Sequence, residues 1–199
     1  MGLFKKKRME KAKPSGQNKN LLEEIDPAVR PGGVFIVQLL MKDRCKTPSI
    51  ERMTEVLSQH IGRVEAAEPS GKMSSSMGNI SLFAAMEHIA KFSDSQGPVQ
   101  VSIMPCDTFH PETIDEMKRS QMWDCLQDRD RILSECRYCV FANDMLGGAL
   151  DPLERADFLM DYLEALLELY PSCEAVYFYN SGKLLLADTI RSGEIKGLD

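Results

Sequence analysis

Between residues 135 and 188 a strand-length apolar run, a helix with a marked start and a tight hairpin follow one another with no room for a linker. That succession restricts the chain to folds in which strands and a helix share one core. Residues 136–141, Cys-Arg-Tyr-Cys-Val-Phe, read as a strand. Asp151 can cap the helix that follows, Pro152 suits its first position, and Glu154 supplies an acid to its first turn. Leu153, Ala156, Met160, Leu163 and Leu167 form an apolar stripe along it, and Glu154, Asp157, Asp161, Glu164 and Glu168 recur on the other side. Residues 175–179, the turn Asn180-Ser181-Gly182 and residues 183–187 then spell strand, turn, strand. The whole is a β-α-β-β unit.

A similar plan stands earlier in the chain. Residues 34–41 are a continuous apolar run, the pattern of a central strand covered on both faces. Pro48 and Ser49 open a helix with Ile50, Met53, Leu57 and Ile61 at helical spacing, and Gly62 stops it. A short strand at 64–67 follows; 69–79 is a Gly/Ser-rich loop; 80–92 and 99–104 flank the turn-forming 93–98 as a long hairpin. Both parts carry Glu-Arg near a helix start, Glu51-Arg52 and Glu154-Arg155. The expected class is α+β: a mixed β-sheet with helices packed on one face, with pseudo-repeat β-α-β-β (ferredoxin-like) halves at 31–105 and 132–190. Between them, Ile114, Met117, Gln121 and Cys125 predict a helix over 113–126, and the mixed charges of 128–131 predict a solvated turn.

Charge separates a tail from a body. Residues 1–20 hold Lys5, Lys6, Lys7, Arg8, Lys11, Lys13 and Lys19 against Glu10, a net of +6, so the remaining residues carry −12 of the chain's net −6. Residues 1–30 are expected to be a basic, disordered tail and 31–199 a single α+β domain. An acidic body argues against a grip on phosphate backbones, so nucleic acid is expected only through the tail. No apolar run reaches the roughly 20 residues that cross a bilayer, and the start lacks an apolar signal region, so the expectation is a cytoplasmic protein with no membrane insertion. The six cysteines show no paired spacing of a zinc site. Cys136 and Cys139, three apart on a strand, are expected on opposite faces as buried thiols rather than one reactive dithiol.

Chemistry-bearing residues are few. Gly71-Lys72 is not a phosphate loop, because the glycine required upstream is Ala66 and Met73 stands where Ser or Thr is needed. His60, His88 and His110 make no metal-ligand spacing, and no cofactor motif is present. Cys106, Asp107 and His110, in the loop after a strand, are the weak catalytic candidates. Arg119, Trp123, Asp124, Arg129 and Arg131 are richer in binding groups, since Arg and Trp anchor interfaces; the bland alternative puts Trp123 in the core. Asp157, Asp161 and Glu164 offer a docking face for a basic partner, or simply a wet helix face.

Arg119-Ser120-Gln121-Met122-Trp123-Asp124, the run 128–133, Glu154-Arg155-Ala156-Asp157, and 164–166 through Tyr170-Pro171 into 174–178 and Asn180-Ser181-Gly182-Lys183 carry a family resemblance. On these residues the chain resembles a bacterial family, domain of unknown function 4261. The resemblance implies a fold and no known activity, cofactor or substrate, and members continue beyond the position of Ile190 with a further segment. The expected function is a non-enzymatic protein-interaction or regulatory module with an unidentified protein partner. The alternative is a small-molecule-binding or hydrolytic enzyme using the 106–112 loop.

Overall fold

The computed structural model describes residues 33–67 and 80–193. The basic tail and the 69–79 loop therefore lie outside the described residues. Strand β1 (Ile36–Met41) is buried along almost its whole length, as a central strand of the sheet must be. Helix α1 (Ile50–Ile61) starts where Ser49 accepts the Arg52 backbone N–H and ends at Gly62, whose φ of 75° ends the helical path. The short strand β2 (Val64–Ala66) and the hairpin β3 (Ser81–Lys91) and β4 (Gln96–Ile103) follow. A two-residue strand β5 (Asp107–Thr108) leads to helices α2 (Glu116–Ser120) and α3 (Arg129–Glu135). Strand β6 (Tyr138–Met145), helix α4 (Pro152–Leu169), the hairpin β7 (Ala175–Phe178) and β8 (Lys183–Leu186), and helix α5 (Ala187–Arg191) complete the order.

One sheet joins the strands in the order β2-β3-β4-β6-β1-β7-β8, with β5 on the end of β6. The class is α+β, as the sequence implies. Every pairing among the described strands is antiparallel, where a mixed sheet was expected. The reason is topological: β1 inserts between β6 and β7, so the two strands joined by α4 run parallel but never touch. The strands joined by α1 stand further apart still, at opposite sides of β3, β4 and β6. The segments 31–105 and 132–190 thus interleave in one sheet.

Alternation along the strands builds two cores. Val37, Leu39 and Met41 of β1 face α1 and α4, together with Phe83, Val101, Ile103, Val140, Ala142 and Val176. Leu40, Cys139, Ala175, Tyr177 and Leu184 face the other way, onto Ile114, Met122, Cys125, Ile132 and Leu133. Both long helices lie on one face, and the other is partly roofed by the 109–136 segment with its short helices. The expectation of helices on one face holds for α1, α4 and the short α5, whose Ala187 and Ile190 join the same core, and not for α2 and α3.

Local readings differ from the structure in four places. The single helix expected over 113–126 is a 3₁₀ turn at Pro111–Thr113, α2, and a second 3₁₀ turn at Trp123–Cys125, because side chains cap the backbone inside it. The mixed-charge run expected as a turn opens α3, Arg131 bonding to Asp128 at 2.7 Å. Along α4 the buried side is set by Phe158, Tyr162, Ala165, Leu166 and Leu169, with Leu163 and Leu167, while Leu153 and Ala156 are exposed. Cys136 and Cys139 pack into the same core, because Cys136 caps α3 ahead of the strand and the strand's alternation does not reach it.

Candidate functional site

The segment from Ile114 to Leu126 turns repeatedly instead of running as one helix, and its own polar groups dictate the turns. Asp115 caps α2 by accepting the Lys118 N–H at 2.7 Å. At the other end Ser120 Oγ donates to the Met117 carbonyl at 2.7 Å, and Trp123 Nε1 donates to the Ser120 carbonyl at 2.5 Å. The Leu126 N–H then bonds to the Trp123 carbonyl. These links hold Met117, Trp123 and Leu126 in one hydrogen-bonded run. Ile114, Met122 and Cys125 take the inward positions between them.

Among polar neighbours such as Glu116, Gln121 and Asp124, three large apolar side chains also remain outside. Trp123 is 75% exposed, Met117 73% and Leu126 60%. The run leans on the β7–β8 turn: Lys118 Nζ lies 4.9 Å from the ring centroid of Tyr179, itself about half exposed. Three large apolar side chains left in water on one short segment form the kind of surface that partner proteins cover. The core position open to Trp123 in the sequence is thereby corrected, since short turns cannot carry all of their apolar residues to one side.

The arginines of the same cluster divide by role. Arg119 donates from Nε to the Ile114 carbonyl and from Nη2 to the Pro111 carbonyl, at 3.2 and 2.7 Å. Arg129 Nη1 donates to the Arg119 carbonyl at 3.1 Å, and its Nε to Asp130 at 2.9 Å. Both stitch the segment to itself. Arg131 belongs to a surface network with Asp128, Glu135 and Glu174, in which Lys42 also sits 3.0 Å from Glu135. Within it Glu135 is held below the usual carboxylate range by the Lys42 hydrogen bond. Asp124 is exposed beside Trp123.

The 106–112 loop does not assemble its three candidates. Cys106 packs into the core beneath α1 and α4, while Asp107 is exposed in β5 and accepts the Thr108 N–H. His110 Nδ1 lies 2.9 Å from Glu112 Oε1, both well exposed. Among the described residues no hydrogen bond or ion pair joins Cys106, Asp107 and His110. The other five thiols are pushed upward, chiefly by burial: Cys125 without a large shift, Cys136 to about 11, and Cys45, Cys139 and Cys173 to about 12. High values keep a thiol protonated and a poor nucleophile at neutral pH.

On α4, Asp157, Asp161 and Glu164 are exposed. Glu164 also approaches His60 of α1 at 3.8 Å, and Glu168 accepts from Arg52 at 2.8 Å, with His60 Nε2 3.1 Å away. Part of the acidic stripe fastens the two long helices together. Among the described residues no group of three or more His, Cys, Asp and Glu side chains is placed to hold a metal ion.

One buried carboxylate escaped the reading of the sequence. Asp144 is 1% exposed; its Oδ1 accepts the Phe35 N–H at 2.5 Å, and its Oδ2 stands 3.5 Å from Arg155 Nη2. Burial raises its pKa, against the opposing pull of the Phe35 N–H and of Arg155. A Cβ at Gly147 would collide with the same carboxylate, so glycine is required there. The signal was present: Val140, Ala142 and Asp144 share the inward face of β6, and a carboxylate in that series must be paired.

Comparison of the chain with protein-family models, with curated proteins and with solved structures finds no match.

Proposed function

We propose that this chain is a non-enzymatic protein-interaction module that presents Met117, Trp123 and Leu126, beside Tyr179, to a protein partner. The observation that carries the reading is the exposure of its one tryptophan in company with two other large apolar side chains. Tryptophan gives more binding free energy per residue than almost any other side chain when a partner covers it. Hydrogen bonds from the Ser120 hydroxyl and the Trp123 indole to backbone carbonyls order the segment before binding, which lowers the ordering cost of association. A cytoplasmic setting and the resemblance to the bacterial family of unknown function belong to the same proposal. For the membrane the structure speaks only of helices: among the described residues none is long and apolar enough to cross one. No geometric observation favours the hydrolytic alternative at Cys106, Asp107 and His110.

The test is capture from host lysate with the full chain and with Trp123→Ser, Leu126→Ser and His110→Ala, quantified by mass spectrometry. A stoichiometric protein retained by wild type and His110→Ala, and reduced at least tenfold by the two patch variants, is the expected result. A binding protein retained equally by all four chains would overturn the proposal.

A further inference from the structure

On the opposite side of the β7–β8 turn, between the start of α4 and the first residues of β1, lies a groove of about 390 Å³. Its walls are apolar, from Phe35, Ile36, Leu159 and Phe178. Arg155, which also lies 3.5 Å from the buried Asp144, and Lys183 stand at it, and among the described residues no carboxylate lines it, on a body that is otherwise strongly acidic. Arg155 is fixed there by donating from Nη2 to the Gly33 carbonyl, which also pins the start of the described chain to the rim. Asn180 Nδ2 donates to the Val34 carbonyl at 2.7 Å and pins it a second time.

The chain that leads to this rim carries a complementary sequence. Residues 21–26 read Leu-Leu-Glu-Glu-Ile-Asp, three apolar and three acidic residues, in the stretch of chain otherwise dominated by lysine. Only residues 27–32 separate them from Gly33. At about 3.3 Å per residue Asp26 lies within about 23 Å of Gly33 and Leu21 within about 40 Å, so the segment stays tethered within reach of the groove. Such a tether gives an effective concentration on the order of millimolar, which makes even a weak site well occupied.

We infer that this groove is the docking site of the chain's own residues 21–26, with Leu21, Leu22 and Ile25 against the apolar walls and Glu23, Glu24 and Asp26 toward Arg155 and Lys183. A segment docked there leaves the Trp123 surface, on the other side of the hairpin, uncovered. The inference is independent of the partner proposed for that surface.

Hydrogen exchange read by mass spectrometry on the full chain tests it. In wild type the amides of 21–26 are expected to exchange at least tenfold more slowly than an unstructured peptide of that sequence. Ala156→Trp, which fills the groove from an exposed position of α4, and Leu22→Asp with Ile25→Asp, which spoil the segment, are each expected to restore the unstructured rate. The segment variant does not touch the described core, so it separates undocking from misfolding. Intrinsic exchange of 21–26 in wild type would overturn the inference, as would protection that survives Ala156→Trp. Protection that falls on dilution would replace the tethered segment by that of a second copy and overturn it as well.

Discussion

Truncating Trp123 to alanine separates an interface residue from a core residue by magnitude. The ring is three-quarters exposed, so about a quarter of a surface of roughly 150–250 Å² is covered by the protein. At about 25 cal/mol per Å² that coverage stabilises the fold by roughly 1–1.5 kcal/mol. The exposed hydrogen bond from Nε1 to the Ser120 carbonyl adds less than about 1 kcal/mol. Trp123→Ala is therefore expected to cost about 1–2 kcal/mol, whereas Phe158→Ala, whose ring is buried in the α4 core, is expected to cost about 3–5 kcal/mol. Urea unfolding followed by far-ultraviolet circular dichroism measures both, with the slope unchanged so that midpoints compare directly. The same chain should show tryptophan emission typical of water and readily quenched by iodide. A loss of 3 kcal/mol or more in Trp123→Ala, on the order of a buried ring, or emission shielded from quencher, would refute the exposure on which the proposed interaction surface rests.

Three further expectations are cheaper to test. Asp144 has a pKa raised from 3.8 in the folded protein, so the native state holds its proton more tightly than the unfolded chain and this group's contribution to stability is lost as pH rises through its folded pKa. The stability of Asp144→Asn relative to wild type should therefore grow as pH climbs from below 3.8 toward neutrality in chemical denaturation, and a difference that is flat or shrinks with pH contradicts the raised value. Gly62→Ala should destabilise by about 1–3 kcal/mol, because φ is 75° and the new Cβ would stand 2.6 Å from Glu87 Oε2; an unchanged urea midpoint would show that the helix end relaxes. In the folded protein Cys136, Cys139 and Cys173 should react with a thiol reagent at neutral pH far more slowly than free cysteine and then react fully in denaturant; fast labelling of any of them would place a reactive thiol where burial forbids it.

What was legible in the sequence is the part governed by local rules. Ser49 and Asp151 cap their helices where their side chains say they must, and the hairpins of 81–103 and 175–186 form where turn residues interrupt apolar runs. The order of strands was not legible, because the placement of β1 between β6 and β7 depends on contacts far apart in sequence that leave no periodic mark. The helix expected over 113–126 failed for a third reason. Its apolar residues sit at helical spacing, but Asp115, Ser120 and the indole of Trp123 offer the backbone local hydrogen bonds that end the helix after five residues.

That failure and the candidate site have one cause. Had 113–126 formed one helix, the expected stripe would have laid Ile114, Met117, Gln121 and Cys125 on the sheet. Breaking it after Ser120 re-aims the chain, so that Met122 and Cys125 go inward and Met117, Trp123 and Leu126 go out. Each large apolar side chain left in water forgoes about 1.5–3 kcal/mol. The chain leaves three such groups uncovered and holds the indole of one by a hydrogen bond to the Ser120 carbonyl. Local rules broken at one place, with an exposed apolar surface as the result, are where a binding function is expected to reside. The proposed interaction surface is thus marked by the same residues that make the segment hard to read.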